Sequence, residues 1–283
     1  MELQRFSFST RAYSQHSLQH ALNRIADAGF KGVEILADKP HAWLDTFAAA
    51  DQTRLQKQLK KHDLFVSNID AGSTVGFWSD APAEPIYEPS LVSSSREYRE
   101  WRIAYSKKAL RLGKALEARN VSFTSGRALA GVSPEKAMTY LIDGLERLIE
   151  FAEQLGQRFS IQCEPTLLIE KPEEVAALLK KLHAPIFGVN LDVPNMVAAG
   201  ADPLDAIEKL KGRIFNVQLA DILAHKNYRR APGDGDIDFA AIFKKLRSVG
   251  YTGPVTWDLQ PAGEDIDAAC KKTFKFVKTL AKK

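Results

Sequence analysis

Four polar residues stand at or near the ends of short apolar runs: Glu164 in "CEPT", Asp192 in "NLDVPN", Gln218 in "NVQLAD" and Asp258 in "TWDL". All four are oxygen donors. Three carboxylates drawn to one place repel strongly unless a cation or shared protons compensate. A divalent ion held by carboxylate and amide oxygens is the economical solution, and such ligands suit Mg2+ or Mn2+, whereas zinc asks for histidine or thiolate. Each residue alone could equally cap a helix or meet water. Their common position on successive runs is what makes them a candidate set.

Other groups could complete such a site. Glu34 and His41 lie in "VEILADKPH", where the imidazole could serve as acid, base or hydrogen-bond donor, or as ordinary polar surface. Arg230 precedes "APGDGD"; a guanidinium there could hold a carboxylate or phosphate, or be solvated beside glycines that only shape a turn. Residues 70–95, "DAGSTVGFWSDAPAEPIYEPSLVSSS", are rich in Gly, Pro and Ser, and long loops of this kind are usually functional. Their aromatics Phe77, Trp78 and Tyr87 are lid candidates that would cover the site or anchor the loop on the body of the protein.

Positioning these residues requires a repeated scaffold. Eight β-rich runs are predicted at 3–9, 32–36, 64–69, 121–125, 158–164, 186–192, 214–220 and 254–259, alternating with stretches whose apolar residues recur at helical spacing. Cap chemistry agrees with that alternation. One helix over 17–29 ends at Gly29, and another over 133–155 has Ser133 as cap, Pro134 in the first position and Gly156 as the stop. Repeated βα units imply a parallel sheet. An open doubly wound sheet would usually carry a Gly-rich first turn, yet "STRAYSQHSL" has no glycine, so the closed (β/α)8 TIM barrel is favoured. The 283 residues suit one such domain over 1–283, with the 70–95 segment as a long loop after the third strand. In a barrel the strand C-termini open into one shared mouth, which gathers the candidate residues.

Composition narrows the partners. With 45% apolar and 26% charged residues the chain reads as an ordinary soluble enzyme, and no apolar run is long enough to cross a bilayer. The opening "MELQRFSFST" lacks the regions of a signal peptide, so a cytoplasmic location is expected. Cys163 and Cys270 are too few for a disulfide framework and read as buried thiols. The formal charge of +4 is spread over helical stretches without the clustered cations and stacking aromatics of a nucleic-acid binder, so a small-molecule partner is expected. Oligomeric state, including a homo-oligomer, is left open.

The ordered fragments "GVEILADKPHAW", "VSNIDAG", "CEP", "NLDVPNM", "VQLAD", "PGDGDIDF" and "GYTGPVTWDL" resemble the sugar phosphate isomerase/epimerase group of the xylose-isomerase-like TIM barrels over nearly the whole chain. In that family a Glu, an Asp, a His and a Glu on strands five to eight hold a divalent metal, so the resemblance implies Glu164, Asp192, Gln218 and Asp258 as ligands. Gln218 and Asp258 depart from the pattern, although 3-dehydroshikimate dehydratases of the superfamily also use a glutamine there. The resemblance further implies Glu164 and Asp258 as the acid/base pair, with substrate contacts from Glu170 and Asn195, the latter standing where a DxxH histidine is usual. Together with His41, Asn68 and Arg230 these form the expected substrate-binding set. The implied activity is a metal-dependent isomerase or epimerase working through an enediolate on a small polyhydroxylated carbonyl compound, a sugar or cyclitol. Two alternatives accompany it: a dehydratase of the 3-dehydroshikimate or inosose kind, and a barrel that binds a metabolite without turnover. Endonuclease IV of the same superfamily uses a histidine-rich three-zinc cluster. None of the six histidines here ends a predicted late strand, which argues against DNA cleavage.

Overall fold

Strict alternation within the strands separates two environments. Ser7, Gln162, Asn190, Asn216, Gln218 and Thr256 turn inward and bond one another inside the barrel, and Ser160 there accepts from Asn120. Their neighbours Phe8, Ile161, Leu191, Val217 and Trp257 are equally buried and belong to the apolar core. Period-two geometry allows no other outcome once one face meets the helices. The computed structural model describes residues 2–80, 86–260 and 265–281, so part of the expected 70–95 loop, 81–85, lies outside the described residues, as do the ends of the expected 1–283 domain.

The strands are β1 (Phe6–Ser9), β2 (Gly32–Leu36), β3 (Phe65–Asp70), β4 (Val121–Thr124), β5 (Phe159–Gln162), β6 (Phe187–Asp192), β7 (Ile214–Leu219), β8 (Asp221–Leu223), β9 (Lys226–Arg230) and β10 (Val255–Trp257). All but β8 and β9 form a closed parallel barrel in which β1 pairs with both β2 and β10. This is the (β/α)8 architecture expected from the alternation. The helices are α1 (Leu18–Ala28), α2 (Ala49–His62), α3 (Arg96–Ala115), α4 (Pro134–Leu155), α5 (Pro172–Leu182), α6 (Val193–Ala198), α7 (Pro203–Lys209), α8 (Phe239–Ser248) and α9 (Ile266–Ala281). Ser17 and Ser133 cap α1 and α4 as expected, and Gly29 and Gly156 end them in the left-handed conformation that glycine adopts without Cβ strain.

Three departures from the expected strands bear on the site. The run 158–164 ends as a strand at Gln162, which leaves Glu164 in the following turn. A bulge between Val33/Glu34 and Val66/Asn68 makes Ser67 the extra residue, so that Ser67 and Asn68 both reach interior partners. The third departure is an antiparallel hairpin, β8–β9, inserted between the seventh and eighth barrel strands, with Asp221 opposite Arg230. No helix among the described residues is long and apolar enough to cross a membrane.

Candidate functional site

At the C-terminal ends of the strands a cavity of about 250 Å3 opens, walled by Arg11, Asp70, Tyr87, Glu164, Arg229 and Asp258 with smaller polar groups between them. That volume lies just below the ~300–1,000 Å3 usual for drug-sized ligands, and it suits a small polar molecule. Its centre is a buried ion-pair network. Arg229, on β9, donates from Nη1 to Asp258 Oδ2 and from Nη2 to Asp192 Oδ2 and Asn195 Oδ1, each at 2.8 Å. Asn195 in turn donates to Glu164 Oε2 at 2.8 Å, and Gln162 donates to the same oxygen at 3.2 Å. Across the cavity Arg11 pairs with Asp70. Asp258 Oδ1 is buried and has no partner among the described residues. A larger depression, about 650 Å3, lies at the opposite end between residues that precede the strands, such as Arg119, Gln157 and Tyr251; in these barrels that face governs stability.

Burial controls the charges. It pushes the Glu164 carboxyl up to about 7 against the opposing pull of Arg229, placing its proton exchange near neutrality. Asp258 is likewise raised by burial, with Arg229 and Arg11 working against it. For Arg229, burial lowers the pKa, but Asp192, Asp258 and Glu164 overcome it and hold the guanidinium charged. Burial, then Glu164, raises the Tyr87 phenol, so it faces Glu164 protonated. Beneath the cavity Glu34 is fully enclosed. Burial, then Asp70 and Asp258, lift it to about 8 although Asn68 and Gln218 donate to it.

The structure therefore brings Glu164, Asp192 and Asp258 together, with Asn195 between the first two, and disperses the remaining candidates. Gln218 is engaged at both ends: Nε2 donates to both Glu34 oxygens at 2.9 Å, and Oε1 accepts from Asn190 at 2.9 Å. This corrects its reading as a metal ligand. Asn68 lies in the same interior layer, bonded to Glu34, Ser122 and Asn120 and walled off from the cavity. His41 is also structural. Its Nε2 faces the carbonyls of Tyr13 and His16, which requires the proton on that nitrogen, while Nδ1 meets Thr10 Oγ1 at 3.1 Å. Burial lowers its pKa to about 4, so the ring is neutral.

Glu170 lies just before α5, where its backbone N–H is capped by Glu174, and it does not wall the cavity. Asn195 is 1% exposed and turned to Glu164, Cys163 O, Arg229 and Asn227, which makes it a bridge between charges instead of a substrate contact. Arg230 faces away, into a surface depression with Asp234 and Lys272; its neighbour Arg229 takes the inward position. Along β9 adjacent residues point to opposite faces, so of the two adjacent arginines Arg229, not the expected Arg230, turns to the cavity. Of the lid candidates Phe77 and Trp78 pack on Tyr98 of α3, Phe77 also on Trp101, and Trp78 Nε1 donates to Glu88 O at 2.6 Å, while Tyr87 alone reaches the cavity. The loop is pinned by Asp38, which accepts from Ser73 Oγ, Val75 N and Gly76 N at 2.7–2.8 Å. Arg229 and Arg11 were missed in the sequence. Only the pair of arginines in "NYRRAPG" signals the first, and nothing local distinguishes the second.

The donor set does not fit the divalent metal that the resemblance implied. Gln218 Oε1 already accepts from Asn190, the Arg229 guanidinium stands between Asp192 and Asp258, and Asp258 Oδ1 is buried without a partner among the described residues. Among the described residues no group of three or more His, Cys, Asp or Glu side chains is placed to hold one ion. Four to six oxygens about one point are what Mg2+ or Mn2+ requires, and the mouth cannot present them without moving Arg229.

Comparisons with known proteins agree with the architecture. An inosose dehydratase of Geobacillus kaustophilus (strain HTA426) is 27% identical over 151 residues, 47% of this chain and 48% of the relative, so the match spans about half of that relative's length. A ketose 3-epimerase of Arthrobacter globiformis is 22% identical over 254 residues, 88% of this chain and 80% of the relative. Among solved structures a D-tagatose 3-epimerase-like protein superposes with a TM-score of 0.81 at 17% identity, covering 98% of each chain. The IOLI protein with a binding zinc atom does so at 0.78 and 15%, again covering 98% of each chain. A family model described as "Xylose isomerase-like TIM barrel" matches residues 22–279, and the chain belongs to that family.

Proposed function

We propose that the chain is an isomerase or epimerase that moves a proton at the carbon next to the carbonyl of a small polyhydroxylated compound, a sugar or cyclitol. The observation that carries this reading is the presence of two carboxyls, the half-buried Glu164 and the buried Asp258, in one small polar cavity that also holds two guanidinium groups. Glu164, with its proton exchange near about 7, is suited to take up a proton and return it without a large energy gap at neutral pH. Asp258, whose Oδ1 has no partner, is the second proton carrier. Removing a proton beside a carbonyl places negative charge on oxygen, and fixed cations directed at that charge lower the barrier most. Arg11 and Arg229 are those cations, already oriented by Asp70 and by Asp192 with Asp258. Tyr87 supplies a hydroxyl that excludes water from one side of Glu164.

A second reading is supported by the inosose dehydratases among the relatives. The same proton removal followed by loss of a neighbouring hydroxyl gives a lyase. One experiment separates them: the protein is incubated in D2O with ketohexoses and with inososes, and the products are followed by NMR and ultraviolet absorbance. Deuterium entering the carbon skeleton with the number of hydroxyls kept supports the isomerase reading, and loss of water with a new conjugated absorbance supports the lyase. Absence of exchange and of product with every member of both classes would remove catalysis from consideration.

A further inference from the structure

Oxygens from two separate parts of the chain converge on the Arg229 guanidinium: Asp192 at the end of β6 with Asn195 in the first turn of α6, and Asp258 just after β10. The three side chains taking part in the ion pairs, Arg229, Asp192 and Asp258, are 5%, 0% and 4% exposed, so water does not screen them. A planar fork of N–H donors can satisfy two carboxylates at once, a role in which a flexible ammonium performs poorly. The backbone behind the fork is held on both sides. Gln260 N donates to Arg229 O at 2.9 Å, and Asp221, at the start of the hairpin, accepts from Gly233 N and Ile237 N at 2.8 and 3.1 Å. The next layer down closes the alternative, because Gln218 is bonded to Glu34 and Asn190.

We infer that Arg229 is the permanent cation of this site: it stands at the shared oxygens of Asp192 and Asp258, neutralises them, and keeps divalent metal ions out. The inference deepens the reading above by naming the source of positive charge at the same mouth. Its test reads metal occupancy and thermal stability, so a failure to find a substrate leaves it standing, and a metal-loaded wild type refutes it whatever the reaction.

The purified full chain is dialysed against Mn2+, Mg2+ or Zn2+, freed of excess ion, and analysed by mass spectrometry for bound metal; Tm is recorded with each ion and with EDTA. Wild type is expected to carry far less than one ion per chain and to show no Tm change with any addition. An ion bound near one per chain, or a Tm raised by several degrees with Mn2+ and lowered by EDTA, would overturn the inference. Arg229→Met keeps the aliphatic stem and removes the charge. It should melt below wild type and recover several degrees with Mn2+ as the freed carboxylates take up the ion. A folded Arg229→Met protein that acquires no ion refutes the claim that the guanidinium is what excludes it. If that variant does not fold, the wild-type measurements still decide. Arg230→Ala, altering the outward neighbour, should match wild type in every arm.

Discussion

Glu164 illustrates how enclosure converts an ordinary carboxyl into a reagent. Burial lifts it to about 7, so below that pH it is held as the acid and above it as the base. With Glu164 as the proton acceptor, kcat/KM should rise roughly tenfold per pH unit below about 7 and level off above it. Glu164→Gln, which retains the shape and the acceptor oxygen for Asn195, should reduce kcat by a factor of about 100 or more, as expected on loss of a general acid–base group. Turnover of that variant within a factor of a few of wild type would show that the proton goes elsewhere. The contrast with His41 is instructive. Both are titratable groups in enclosed surroundings, but His41 is saturated by backbone carbonyls and Thr10, while Glu164 opens onto the cavity. Neither outcome is visible in the residue type, because both follow from partners distant in the chain.

The β8–β9 hairpin is the element that determines the character of the mouth. Asp221 and the "PGDGD" turn hold it against the barrel, and Gly235 is central to that fit: a Cβ there would lie 2.3 Å from Ile222 O and 2.4 Å from Asp221 Oδ1. Backbone cannot move aside as a side-chain tip can. Gly235→Ala should therefore cost about 1–3 kcal/mol, lowering Tm by about 2–4 °C for each kcal/mol. It should also weaken activity by shifting Arg229. A Tm within one degree of wild type would show that the turn has slack. Sequence patterning explains why this element was missed while the barrel strands were seen. The eight barrel strands alternate a polar inward residue with a bulky apolar outward one, as in "FSIQ" and "FNVQL", and helices follow nearly all of them. "DILAHKNYRR" has no such alternation, since β9 packs one face on a polar site and leaves the other to solvent. The engagement of Gln218 was hidden for a related reason: it stands at a strand end in the sequence, and its partner, Glu34, is 184 residues away.

For the molecule as a whole, the polar barrel interior should leave its mark on pH stability. Glu34 and Glu164 bind protons more tightly folded, at about 8 and about 7, than at their ordinary 4.5. Their contribution is fully present below about 4.5 and is lost as pH rises through those folded values. His41 acts in the opposite sense, since its folded value near about 4 lies below its ordinary 6.5, and its contribution is lost as pH falls. Asp258, also raised by burial, joins the two glutamates against one imidazole, so the balance is a decline in stability as pH rises from ~4.5 to ~8. Calorimetric Tm should fall across that range; a Tm that climbs steadily from pH 5 to 8 contradicts the assignment of Glu34 as the protonated member.

Because Arg229 arrives on β9 and not on any strand of the barrel, the cation that bridges Asp192 and Asp258 is delivered by an insert of some ten residues, Asp221 to Arg230, and that stretch can change without disturbing the register of the barrel strands.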